Sequence, residues 1–221
     1  MVGTEVTLGP AGRSGRAYLS EPALTGPGVI VVHDGYGLLP HLRRRCDWLA
    51  EAGFVALAVD LYDGLVARTP AEAERLVGGL DQVRARGMVA IAATQLLARP
   101  KVRPQRVGAV GFGLGGRLAL RAATSGALDA LIAFYAVLSP AERSLVPCPT
   151  LLHLTGGPDE QDASVRAFLH DLRTSGTELT VRTWSGAPPG FANADRGDYR
   201  EKPAVAAWVE TAGFLAGHLR G

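Results

Sequence analysis

Short, uninterrupted apolar runs alternate along this chain with longer stretches whose apolar residues recur at helical spacing. A run of the first kind reads as a strand buried on both faces, and one of the second as an amphipathic helix. The runs fall at residues 28–33, 54–59, 106–112, 128–137, 150–155 and 177–184, and helical spacing at 41–52, 70–97, 117–124, 161–175 and 202–219. Gly53 stands where a C-capping glycine belongs, and the long 70–97 segment is interrupted around Gly78-Gly79 and at Gly87. Residues 5–19 predict an edge hairpin that turns at Gly9-Pro10-Ala11-Gly12. Strands alternating with helices imply crossover connections, hence a mostly parallel sheet with helices on both faces. In such a sheet the ligand crevice lies beyond the carboxyl ends of the strands. The loops at 34–37, 60–63, 113–116, 156–159 and 185–193 are therefore the candidate sites.

Composition narrows this picture without changing it. The 221 residues suit one domain spanning 1–221, and apolar and charged shares of 47% and 20% are those of a globular chain. A formal charge of +2, with Lys and Arg scattered, gives no footprint for nucleic acid. The densest basic run, Arg43-Arg44-Arg45, sits beside Asp47 in an expected helix and reads as a solvated face. The chain has no apolar span of membrane length and no signal-peptide pattern, so a cytoplasmic protein without a membrane partner is expected. Its oligomeric state is expected to be monomer or homodimer. Cys46 and Cys148 lack both a disulfide framework and metal-ligand spacing, so no metal is expected.

The strongest local signal is Gly111-Phe112-Gly113-Leu114-Gly115-Gly116, between a buried run and a helix. A nucleophile elbow has this spacing because its central residue takes a strained backbone, while the flanking glycines avoid clashes. Here the central residue is Gly113. Together with Val32-His33-Asp34-Gly35-Tyr36-Gly37, residues 49–62, Gly156-Gly157-Pro158-Asp159 and residues 184–193, this elbow resembles the dienelactone hydrolase family. The resemblance extends from about Glu5 to Leu219.

The resemblance implies an α/β-hydrolase fold and cofactor-free hydrolysis of small lactones and esters by a Cys-His-Asp triad. Carried over by position, the nucleophile is replaced by Gly113 and the histidine by Pro189, and only the acid, Asp159, matches. A family glutamate near the nucleophile corresponds to Asp34. The oxyanion-hole donors would be the backbone N–H groups of Leu114 and Gly35. Glycine offers no nucleophile, and proline can neither take nor return a proton. Loss of a triad leaves roughly 10³- to 10⁴-fold catalysis over water, from oxyanion binding and orientation.

Asp34 and Asp159 are thus the candidate catalytic groups. Each has a plainer reading, Asp34 as a loop cap and Asp159 as a cap of the helix expected near Gln161. Gly35, Tyr36, Tyr62, Gly113, Leu114 and Trp184 are the candidate substrate-binding residues. Tyr135, also at a strand end, could line a pocket or fill the core. His33 reads as a structural histidine satisfied by backbone, with a base role as the alternative. His153 reads as core, and His41, His170 and His218 as surface or packing residues. Two functions fit these residues. One is a cofactor-free enzyme that cyclises, isomerises, eliminates from or opens a small lactone, acyl or polyketide-like substrate. The other is a silent binding protein that uses the same pocket or its surface.

Overall fold

The structure, a computed structural model, describes residues 2–9, 15–157 and 161–221. Among the described residues eight strands form one sheet: β1 (Thr4–Leu8), β2 (Gly15–Ser20), β3 (Gly26–Val32), β4 (Val55–Asp60), β5 (Val102–Phe112), β6 (Ala130–Phe134), β7 (Thr150–Thr155) and β8 (Leu179–Trp184). Their order is β1-β2-β4-β3-β5-β6-β7-β8. From β4 to β8 every neighbour is parallel, whereas β1 and β2 form the antiparallel edge. The turn expected at Gly9-Pro10-Ala11-Gly12 lies largely outside the described residues.

The central strands carry unbroken Val, Ile, Leu and Ala runs because both faces are covered. Helices α1 (Pro40–Glu51) and α6 (Glu201–Leu219) pack on one face. On the other lie α3 (Gln82–Leu97), α4 (Leu114–Ala123) and α5 (Ala163–Thr174), with α2 (Pro70–Gly78) leading into α3. Strands β3, β5 and β6 are wholly buried where they meet. That fixes the strand ends carrying the site: none can shift without its neighbours.

Several boundaries differ from the pattern reading. Gly87 does not interrupt a helix: α3 runs through it, because Ala85, Met88, Val89 and Ala92 bury a continuous stripe. That packing outweighs a glycine cost of about 1 kcal/mol. The real break precedes α3, where the Asp81 carboxylate accepts the Val83 and Arg84 N–H groups as an N-cap. Strand β6 ends at Phe134, three residues early, because Tyr135 turns to φ +41°. Helix α4 starts directly at Leu114, so Gly115 and Gly116 belong to its first turn instead of to a loop. Asp162 caps α5, accepting the Val165 N–H at 2.9 Å, and the cap expected of Asp159 lies outside the described residues.

Candidate active site

The parallel strands deliver β3, β4, β5 and β6 side by side, so their four carboxyl ends bring Asp34, Tyr62, Gly113 and Tyr135 into one row. The turn from β5 into α4 is the tightest part. Gly113 has φ +49° and ψ −109°, its N–H donates to the Phe134 carbonyl at 3.0 Å, and its own carbonyl accepts the Arg117 N–H. The flanking glycines are obligatory by space. A Cβ on Gly111 would lie 2.4 Å from the Gly115 carbonyl oxygen, and one on Gly115 2.2 Å from that of Val32. At Gly116 it would meet the Ala136 Cβ at 2.6 Å. Gly113 is different. A Cβ there would stand 3.8 Å from the Asp34 Cβ and from the Cδ2 and Cε2 of Tyr135, an ordinary contact. The turn thus keeps room for a side chain, and α4 aims its unpartnered first N–H groups and positive dipole end at that space.

Asp34 forms one wall of this hollow. It is buried, and both carboxylate oxygens are held: Oδ1 accepts the Tyr36 N–H at 2.9 Å and Oδ2 the Asn193 amide at 3.2 Å. Each oxygen retains a free lone-pair direction. The holding extends outward, because Asn193 Oδ1 accepts the Asp195 N–H, and Asp195 accepts from the His41 N–H, His41 Nδ1 and Arg44. This chain of bonds straps the loop after β8 onto the start of α1. His41 is thus an internal fastening. Burial pushes its imidazole below the usual histidine range despite Asp195.

His33 is a structural residue. Its Nε2 accepts the Leu61 N–H at 3.0 Å, which leaves Nδ1 to donate to the Asp34 carbonyl at 2.6 Å. Both ring nitrogens are consumed and burial lowers the pKa, so the neutral form is locked. His153 is locked in the same way between Trp184 Nε1–H at 3.2 Å and Thr211, and burial lowers its pKa to about 3.

Four buried polar groups among the described residues lack a partner, Ser20 Oγ and Trp208 Nε1 beside the hydroxyls of the two tyrosines of the row. Those hydroxyls, on Tyr62 and Tyr135, are buried and have no hydrogen-bond partner among the described residues. Each orphaned hydroxyl costs about 1–3 kcal/mol. Burial, then the charge of Asp34, raises Tyr62 to about 12, and the same two causes raise Tyr135 well above the usual tyrosine range. Both phenols therefore stay protonated as donors. Tyr135 also carries φ +41°, a left-handed backbone that costs a bulky residue about 1–2 kcal/mol.

The remaining candidates are placed as follows. Tyr36 is half-buried beneath the Arg196 guanidinium, 3.9 Å from its ring centroid, and borders a cavity of about 400 Å³ also lined by Arg68 and Asp198. Trp184 is half-buried at the end of β8, engaged by His153 and packed on Phe191, which makes it a wall of the core. Gly35 and Leu114 are half-buried beside the hollow, and Pro189 is exposed in the loop after β8. Asp159 lies outside the described residues. Cys46 and Cys148 are buried, and burial raises both thiols, Cys148 to about 11. Among the described residues there is no cluster of three or more His, Cys, Asp or Glu that could hold a metal ion, and no helix is long and apolar enough to cross a membrane. Sequence reasoning missed the Asn193–Asp195–His41 strap and the orphaned phenols, which no spacing signals.

A mostly parallel eight-stranded sheet with this strand-turn-helix elbow is an α/β-hydrolase fold. The profile of the dienelactone hydrolase family matches residues 15–219, and the chain belongs to that family. Protein usf of Aquifex pyrophilus is 31% identical over 219 residues, covering 92% of this chain and 94% of its own length. A probable 2-oxo-3-(5-oxofuran-2-ylidene)propanoate lactonase of a Bradyrhizobium species is 30% identical over 234 residues, covering 98% and 94%. A crystal structure of a dienelactone hydrolase-like promiscuous phosphotriesterase from metagenomic libraries shares the fold. Its TM-score is 0.83 at 23% identity, with 98% of each chain covered.

Proposed function

We propose that this chain is a cofactor-free enzyme that works on a small lactone, acyl or polyketide-like substrate without a covalent acyl intermediate. Gly113 and Pro189 stand in the nucleophile and histidine positions implied by the family resemblance, so acyl transfer to the protein has no attacking atom and no base. The single observation that carries the reading is the Asp34 carboxylate, buried and held by two donors at the edge of a hollow that Gly113 leaves unfilled. Asp34 acts as the general base, and the head of α4 supports the oxygen on which negative charge develops. Isomerisation, cyclisation, elimination or water-mediated opening each need only those two functions.

The test is α-hydrogen exchange. The purified protein is incubated in D₂O with a panel of small lactones and enolisable carbonyl compounds, and deuterium incorporation is followed by NMR. Asp34→Asn lowers the exchange rate by roughly 10² to 10⁴, as expected for a lost general base, with little change in stability. Asp159→Asn costs less, since the histidine it would orient is absent. An Asp34→Asn variant that exchanges at the natural rate but melts early would make Asp34 a loop cap, and the silent-binder reading would replace this one.

A further inference from the structure

We infer that Tyr135 is the donor that holds the ligand's carbonyl oxygen in the hollow above Gly113, and that the ligand is a neutral, enolisable carbonyl compound. The inference rests on the reading of Asp34 as base at the same hollow, and it adds the group opposite that base.

Three independent observations converge on Tyr135. Its ring edge lies 3.8 Å from where a side chain on Gly113 would begin. Its hydroxyl is buried and finds no acceptor among the described residues. Its backbone is forced to φ +41° while its N–H is pinned to the His153 carbonyl at 2.7 Å. An aromatic residue with a satisfied structural role has no need of a strained backbone and an empty hydrogen bond, and such outliers gather at functional sites. The phenol is flanked by Phe112, Phe134 and Phe191, which hold the ring without supplying an acceptor. A ligand oxygen would supply the acceptor that the described residues lack.

The charges around the hollow select its chemistry. Asp34 faces Tyr135 and repels an anionic oxygen in the ground state, whereas a neutral carbonyl oxygen accepts from the phenol without that penalty. Arg196 also acts on Tyr135 from the loop after β8. In the reaction Asp34 takes a proton from the carbon next to the carbonyl. The C–H pair becomes a carbon–carbon double bond, and the carbonyl π pair moves onto oxygen. That oxygen is then held by the Tyr135 hydroxyl and the Leu114 N–H. Tyr135 gives a hydrogen bond and not its proton, because burial and Asp34 disfavour the phenolate. Where the ligand carries a β,γ double bond the product of this step is a dienolate. Return of the proton from Asp34 to the γ carbon moves the double bond to the α,β position, re-forms the carbonyl, and completes an isomerisation with no net redox change.

A thiol placed in the hollow reports on the donor without any substrate. The variant Gly113→Cys is alkylated with iodoacetamide across a range of pH, and the adduct is mapped by mass spectrometry; Cys46 and Cys148 are buried and contribute little background. Adding Tyr135→Phe raises the apparent ionisation of the introduced thiol by about one pKa unit, a tenfold fall in thiolate at a given pH, because a donor to the thiolate is gone. Adding Asp34→Asn instead lowers it, because a negative neighbour is gone. An unchanged profile with Tyr135→Phe overturns the inference, while the Asp34→Asn arm separately tests whether that carboxylate faces the hollow. Should Gly113→Cys fail to fold, the single variant Tyr135→Phe decides. Loss of an orphaned hydroxyl leaves Tm unchanged or raises it by about 2–4 °C, and a fall of that size would mean that the hydroxyl has a structural partner.

Discussion

Alanine at Gly113 and alanine at Gly115 stand two residues apart along the same turn, and they are expected to destabilise by very different amounts. At Gly115 the new Cβ would lie 2.2 Å from the Val32 carbonyl oxygen and 2.4 Å from that of His33, more than an ångström inside an ordinary contact. The Val32 carbonyl belongs to the end of β3, which is paired on both sides and cannot retreat, and His33 follows directly. Overpacking against fixed backbone puts Gly115→Ala at upwards of about 3 kcal/mol. At Gly113 the nearest atoms are 3.8 Å away, so only the backbone at φ +49° resists. That strain is about 1–3 kcal/mol, offset by about 0.4–1 kcal/mol from the stiffer unfolded chain. The net is about 0.5–2 kcal/mol. Thermal melts followed by circular dichroism should therefore show Gly113→Ala losing a few degrees, and Gly115→Ala losing about 6–12 °C or failing to accumulate in folded form. Equal losses would mean that the hollow is closed, and with it the argument that the elbow still accommodates a side chain.

Stability should fall in mild acid. His33, His41 and His153 are buried with lowered pKa values, so the unfolded chain takes up their protons near pH 6.5 while the folded chain does not. The stabilisation is present above that pH and is lost on descent, for His153 until about pH 3. His153 alone should cost about 2–3 kcal/mol by about pH 4.5, and His153→Gln should flatten the profile of Tm against pH; equal slopes for the two proteins would refute the assignment. The natural protein should show no thiol-dependent turnover of aryl esters. An alkylation-sensitive esterase with its adduct on Cys46 or Cys148 would contradict the burial of both thiols. The pair Gly113→Cys and Pro189→His should form a trappable acyl-enzyme with such esters. A folded double variant that traps nothing would show that the loop carrying Pro189 has diverged from the arrangement its relatives suggest.

Strand and helix order follows from apolar patterning alone, since a strand buried on both faces cannot be other than a continuous apolar run. The same holds for the elbow: glycines spaced around residue 113 after a buried run encode close backbone approach, and the clashes at Gly111, Gly115 and Gly116 are its cause. The candidate base was legible too, because Asp34 follows a buried strand and strand ends face the crevice. What no local pattern carried were relations between distant segments. Asn193 reaches Asp34 across 159 positions of chain, and Asp195 reaches His41 across 154. A histidine on an amphipathic helix looks like any surface histidine until the loop that buries it is in place. Tyr135 ends an apolar run, and only the neighbours that β5 and β7 supply show that its hydroxyl is buried with no acceptor among the described residues. Periodicity records which side of an element is buried, whereas hydrogen-bond satisfaction depends on which groups meet there, and only the folded chain settles that.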